Sequence, residues 1–163
     1  MKLNDCLICH SSTLTESEVQ EKGGIYPVYS ASGIFTHFSQ YHVAGESILI
    51  IKDGSNVGKL QYASDKYSVI GTLNYLMAKE KTCLRYIYYY MQSFNFEKYI
   101  VGSGIPHIYF KDYGNELIYC PEFTEQEKIA NALSTIDHKI LVERNVLKNY
   151  SKQKKHLLQN LFI

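Results

Sequence analysis

Several absences narrow the reading of this chain before any motif does. No apolar stretch approaches the ~18 residues that a membrane-spanning helix needs, and the start lacks a basic segment followed by an apolar run. Neither a membrane span nor a secretory signal is therefore read, and a cytoplasmic location is expected. The four cysteines show no framework spacing, which points to free thiols in a reducing compartment. Tryptophan is missing altogether, while tyrosine is abundant at 15 residues. An excess of charge is also lacking: 17 Lys and Arg face 16 Asp and Glu, so any contact with nucleic acid must come from local basic patches. His-Glu-x-x-His, Gly-x-Ser-x-Gly, an Asn-Pro-Pro-Tyr-like segment and paired acid–lysine nuclease patterns are all missing. An independent enzyme is therefore the least favoured class, and no catalytic residue, cofactor or metal site is expected.

Two segments imitate motifs and fail on inspection. Cys6-Leu7-Ile8-Cys9-His10 has the Cys-x-x-Cys-His form of haem attachment, but no export signal goes with it and no fourth zinc ligand is paired nearby. Gly54-Ser55-Asn56-Val57-Gly58-Lys59-Leu60 resembles a phosphate loop. It has three residues between the glycines instead of four, and Leu where Ser or Thr should follow the lysine. These glycines are better read as turn positions requiring φ > 0.

What is present reads as an α+β chain. Residues 1–22 are polar and weakly patterned. A short strand is expected around Ile25–Ser30, with a turn at Ala31-Ser32-Gly33 and a mixed polar stretch from Ile34 to Tyr41. Ser47-Ile48-Leu49-Ile50-Ile51 reads as a buried strand. Lys52–Gly58 is a tight connection and Lys59–Ala63 the return strand. Strand-like alternation continues over Tyr67–Gly71 and Leu73–Ala78, and again over Tyr113–Tyr119. Between these, the spacing of Leu84, Ile87, Tyr88 and Met91 predicts a tyrosine-rich helix over Cys83–Tyr99. Within it Ile87, Tyr88 and Met91 are expected in the core and the other tyrosines partly exposed.

The last forty residues carry the strongest pattern. After Pro121, a Thr124-x-x-Glu127 capping box predicts a helix start with Thr124 as N-cap. Apolar residues then recur at Ile129, Leu133, Ile136, Ile140, Leu147, Tyr150, Leu157 and Leu161. This is a heptad register with two polar interruptions, Glu143 and Lys154. A helix of about 35 residues would be roughly 50 Å long, longer than a domain of this size is wide. Residues 1–120 are therefore read as a globular domain and 121–163 as a projecting helix. Charge divides along similar lines: residues 1–127 hold 10 basic against 14 acidic side chains, and residues 128–163 hold 7 against 2. The basic tail, with Lys148, Lys152, Lys154 and Lys155, is either a solvated face or a phosphate contact.

Several segments together resemble the specificity subunit of type I restriction–modification systems. The resemblance is carried by Gly24–Gly33, by Ile48–Gly58, by Gly102-Ser103-Gly104-Ile105-Pro106-His107-Ile108, by Pro121 with Glu125-Gln126-Glu127-Lys128-Ile129-Ala130, and by Gln153–Phe162. It implies a target recognition domain with a mixed or antiparallel sheet and small helices, followed by a spacer helix. It also implies sequence-specific recognition of double-stranded DNA without catalysis, alongside methyltransferase and restriction subunits. The family's usual subunit has two recognition domains and two antiparallel spacer helices, whereas this chain has one of each. Two copies pairing through residues 125–161 would restore that layout and read a bipartite site, with Glu143 of one helix facing Lys154 of the other. The DNA-reading residues expected on polar loops are His37 and Gln40, then Lys52, Ser55, Asn56 and Lys59, then Ser103, His107 and Lys111. The competing expectation is a protein-interaction module, such as an antirestriction decoy, that reads no DNA.

Overall fold

The computed structural model describes residues 1–19 and 23–161. Phe162 of the last motif and residues 20–22 of the polar N-terminal stretch fall outside them. The elements in chain order are α1 (Leu3–Cys6), β1 (Leu7–Ser11), β2 (Tyr26–Ser30), β3 (Gly33–Phe38), β4 (Val43–Ala44), β5 (Ser47–Ile51), β6 (Leu60–Ala63), β7 (Lys66–Val69), β8 (Leu73–Ala78), α2 (Leu84–Gln92), α3 (Phe110–Tyr113) and α4 (Phe123–Leu161). Short 3₁₀ turns occupy Glu16–Val19 and Phe96–Tyr99. The α+β class is as the sequence implies.

The strands form two sheets. One is antiparallel with the order β1-β8-β5-β6; the other has the order β3-β2-β7-β4 and is mixed, because β2 and β7 run parallel. The run Ile48-Leu49-Ile50-Ile51 is continuous because both faces of β5 are covered. Ile48 and Ile50 join Leu76, Ile87, Met91, Tyr113 and Ala130 on the helical side. Leu49 and Ile51 join Leu73, Val43, Tyr67 and Val69 on the side of the second sheet. The first sheet is thus the middle of three layers, and β5 is its most buried strand.

Several expectations need correction. Residues 7–11 and 33–38 are strands where the sequence showed little pattern. Each lies at the edge of its sheet, where the exposed face mixes polar and apolar residues and blurs the alternation. The helix over Cys83–Tyr99 stops at Gln92: the Ser93 hydroxyl donates to the Tyr90 carbonyl at 2.7 Å. Asn95 then accepts from the Glu97 amide at 3.0 Å, which starts a separate 3₁₀ turn. Within α2, Tyr86 is buried and Tyr88 only half-buried, the reverse of the expectation. Tyr113–Tyr119 is not a strand. Tyr113 closes α3, and residues 116–118 lie against the N-terminus, with Leu3 N donating to Glu116 O and Ile118 N to Met1 O.

Helix α4 begins at Phe123, so Thr124 lies in its first turn instead of capping it. The helix has 39 residues, roughly 58 Å at 1.5 Å per residue. Gln126 and Ala130 are buried against the globular part. From Thr135 to Leu161 every residue is exposed, so the helix projects. Gln126 secures its base: Oε1 accepts from the Cys83 amide at 2.9 Å and Nε2 donates to the Pro121 carbonyl at 2.8 Å. Among the described residues no helix is long and apolar enough to cross a membrane.

Candidate nucleic-acid interface

The glycine turn after β5 and the loop that precedes α3 lie some fifty residues apart in sequence, yet the backbone joins them. Gly54 N donates to Pro106 O at 3.0 Å and Ile108 N to Lys52 O at 3.0 Å. Val101 and His107 exchange reciprocal bonds of 2.9 and 2.8 Å. The turn itself needs glycine: Gly54 and Gly58 have φ of 93° and 86°. A Cβ on Gly58 would come within 2.7 Å of the Phe96 Cβ, so left-handed backbone and close packing exclude other residues there. The turn leads into strand β6 and not into a helix, so it is not a phosphate loop.

Side chains complete the joint. His107 Nδ1 lies 2.5 Å from Asp53 Oδ1. A carboxylate only accepts, so Nδ1 carries the hydrogen and Nε2 is the nitrogen left to meet a ligand. Lys59 Nζ donates to Asn56 Oδ1 at 2.7 Å across the turn. The Tyr109 ring lies nearly parallel to His107, 19° apart at a 6.5 Å centroid separation, and Lys111 Nζ sits 5.3 Å over it. Ser55, Lys59, Ser103 and Lys111 are exposed; Lys52, Asn56 and His107 are half-buried. The two expected loops are thus joined at Lys52–Gly54 and Pro106–Ile108, while Lys111, expected on a loop, lies on α3 just beyond them.

His37 and Gln40 stand elsewhere. His37 is exposed on β3, opposite Pro27, and Gln40 is exposed in the loop before β4. Among the described residues no hydrogen bond links either to the joined loops. Sequence reading missed Asp53 and Tyr109. Asp53 was visible only as a turn former, because its partner His107 is 54 positions away. Tyr109 carried no local signal at all.

The imitation motifs are absorbed into the fold. Cys6 is buried, with its sulfur 3.9 Å from that of Cys120, and His10 stacks on Tyr75 at 5.0 Å. Burial pushes the Cys6 and Cys9 thiols up to about 11 each, and the Cys120 sulfur adds to the rise at Cys6. Of the tyrosines on α2, Tyr86 donates to the Tyr119 carbonyl at 2.8 Å, and Tyr89 to Asp137 Oδ2 of α4 at 2.8 Å. They hold elements together.

Along α4, Ile129 is half-buried against the core of the globular part. The later seam positions are exposed, with Leu147 at 66%, Tyr150 at 64% and Leu161 at 69%.

This arrangement has relatives. The model of the type I restriction modification DNA specificity domain matches residues 1–149. The chain belongs to that family. The type I restriction enzyme MjaVIII specificity subunit of Methanocaldococcus jannaschii is 30% identical over 156 residues, covering 88% of this chain and 36% of that protein. The crystal structure of the S subunit of a type I restriction–modification system from M. genitalium superposes with a TM-score of 0.75 at 19% identity, over 99% of this chain and 45% of that one. The HsdS subunit of Thermoanaerobacter tengcongensis gives a TM-score of 0.64 at 16% identity, over 90% and 39%. These two likenesses show the fold. The chain spans between a third and a half of the length of these relatives.

Proposed function

We propose that this chain is a non-catalytic half of a specificity subunit. In this reading residues 1–120 form a target recognition domain that reads double-stranded DNA, and residues 121–163 form a spacer helix. Two copies pair antiparallel through α4 and present two domains to a bipartite site. Methyltransferase and restriction subunits assemble on that scaffold and do the chemistry. The observation that carries the reading is the joined loop surface of Lys52, Ser55, Asn56, Lys59, Ser103, His107 and Lys111, set on a rigid sheet in a member of a DNA specificity family. Rigid strands with polar side chains on the loops suit base-edge readout supported by phosphate contacts.

Pairing is supported by the exposed seam. Burying an aliphatic side chain is worth about 1.5–3 kcal/mol, and Leu133, Ile136, Ile140, Leu147, Tyr150, Leu157 and Leu161 are all exposed in the single chain. A two-fold dimer is the simplest closed arrangement. His37 and Gln40 would make a second contact region on the same domain.

The test is a complex of this chain with its methyltransferase subunits and a duplex containing the site that the complex methylates. Lys59→Ala and His107→Ala are each expected to weaken DNA binding about tenfold, on the scale of one charge-assisted contact. Unchanged affinity and unchanged salt dependence in both variants would remove this surface from the interface. A complex that assembles but binds no DNA would favour the decoy reading.

A further inference from the structure

The face of α4 that docks on the globular part does not end where the globular part ends. Gln126 and Ala130 are buried on it, and Asp137 bonds Tyr89 from it. At 3.6 residues per turn this face continues through Arg144, Lys148, Lys152 and Lys155. The steps between these four are 4, 4 and 3, and the drift from Gln126 to Lys155 is about 20° over eight turns. Their mean direction is roughly 110° around the helix from the apolar seam. Past Glu143 the described helix has no acidic residue. Four cations at these spacings repel one another along the helix, and a merely solvated face would be expected to intersperse acids.

The stripe begins where helix α2 stops. Cys83, Arg85 and Tyr89 contact Gln126, Ser134 and Asp137 in that order, so α2 and α4 run in the same direction. The glycine turn lies beside the last turn of α2, where Gly58 and Lys59 share a cleft with Tyr88, Met91 and Gln92. The glycine turn and the start of the cationic stripe therefore both lie toward the C-terminal end of α2.

We infer that Arg144, Lys148, Lys152 and Lys155 grip the phosphate backbone of duplex DNA beside the half-site, independently of its sequence, so that the spacer helix is also an electrostatic rail. The stripe is about 16 Å long, the rise of roughly five base pairs. It points along the helix toward the middle of a bipartite site, where a protein needs phosphate contacts but reads no bases. The inference rests on the DNA-recognition reading above.

The experiment titrates a labelled 30-base-pair duplex of random sequence with the full chain in complex with its methyltransferase subunits, between ~50 and ~200 mM salt. The stripe variant combines Arg144→Gln, Lys148→Gln, Lys152→Gln and Lys155→Gln, which keeps helix propensity and leaves the seam intact. The loop variant combines Lys52→Gln and Lys59→Gln. The stripe variant is expected to lower the salt slope by about 0.9 for each phosphate no longer neutralised, a total of about 2–4, with at least a tenfold loss of affinity at low salt. It should keep the same mass by light scattering and the same preference for the methylated site. An unchanged slope and affinity in the stripe variant, with a loss in the loop variant, would overturn the rail and leave DNA recognition standing. Loss of the methyltransferase subunits with DNA affinity retained would mean that the stripe holds protein, and would also overturn it. No duplex binding by the unaltered complex would overturn both.

Discussion

Asp53 and His107 are the residues whose roles depend most on each other. Their contact closes the joint between two loops and fixes which imidazole nitrogen faces outward. Asp53→Ala is expected to weaken DNA binding by about the same factor as His107→Ala. The double variant should add little, because coupled residues do not add; full additivity in a double-mutant cycle would show that the pair does not act as a unit. Gly58→Ala forces both a positive φ and a clash with Phe96, so it is expected to destabilise the fold by about 1–3 kcal/mol in urea unfolding. The thiols of buried Cys6 and half-buried Cys9 set a pH dependence. An unfolded chain loses the Cys6 and Cys9 protons near pH 9.0, whereas the fold holds them to about 11. Their raised values favour the neutral form, so stability is intact below pH 9 and is lost as pH rises through 11. Melting temperatures from pH 8 to 11 should fall in that window, and a Cys6→Ala, Cys9→Ala variant should fall less. Equal curves would contradict this. At this scale the sequence revealed the lysines, serines and glycines of the loops, since turn chemistry is local. It could not reveal which side chains meet, since Asp53–His107 and Cys6–Cys120 are contacts made by the finished fold.

Among the elements, β5 and the glycine turn were legible because burial on both faces leaves an unbroken aliphatic run. Edge strands β1 and β3 were not, since their registers come from β8 and β2 and not from their own alternation. The extent of α2 was overestimated because Phe94 and Phe96 stay in the core cluster after the helix has ended at Gln92. The long helix was legible in length but not at its base, where Gln126 and not Thr124 anchors it. Gln126→Ala leaves the Cys83 amide without its partner and is expected to cost about 1–3 kcal/mol. Full retention of stability in thermal or urea unfolding would contradict the anchor. Pairing belongs to this scale too. Ile140→Glu with Leu147→Glu should convert a dimer into a monomer by light scattering without altering the circular dichroism of the globular part. A monomeric unaltered chain of 18.8 kDa at micromolar concentration would show that the seam serves another partner.

For the whole molecule, a globular part of two sheets and one projecting helix are set together, and the helix exposes its apolar seam from Leu133 onward. Two units related by a two-fold axis would read the same half-site in inverted orientation, separated by a distance that the paired helices set. The sequence suggested this layout through its motifs and heptad register. What it left out was direction: that α2 and α4 run together, and that the cations of the distal helix continue the docking face. Footprinting of the complex of this chain with its methyltransferase subunits tests the layout as a whole. Two protected segments forming an inverted repeat across an unspecific gap are the expected result. Protection of a single half-site, or of two unrelated sequences, would contradict a symmetric pair of recognition domains.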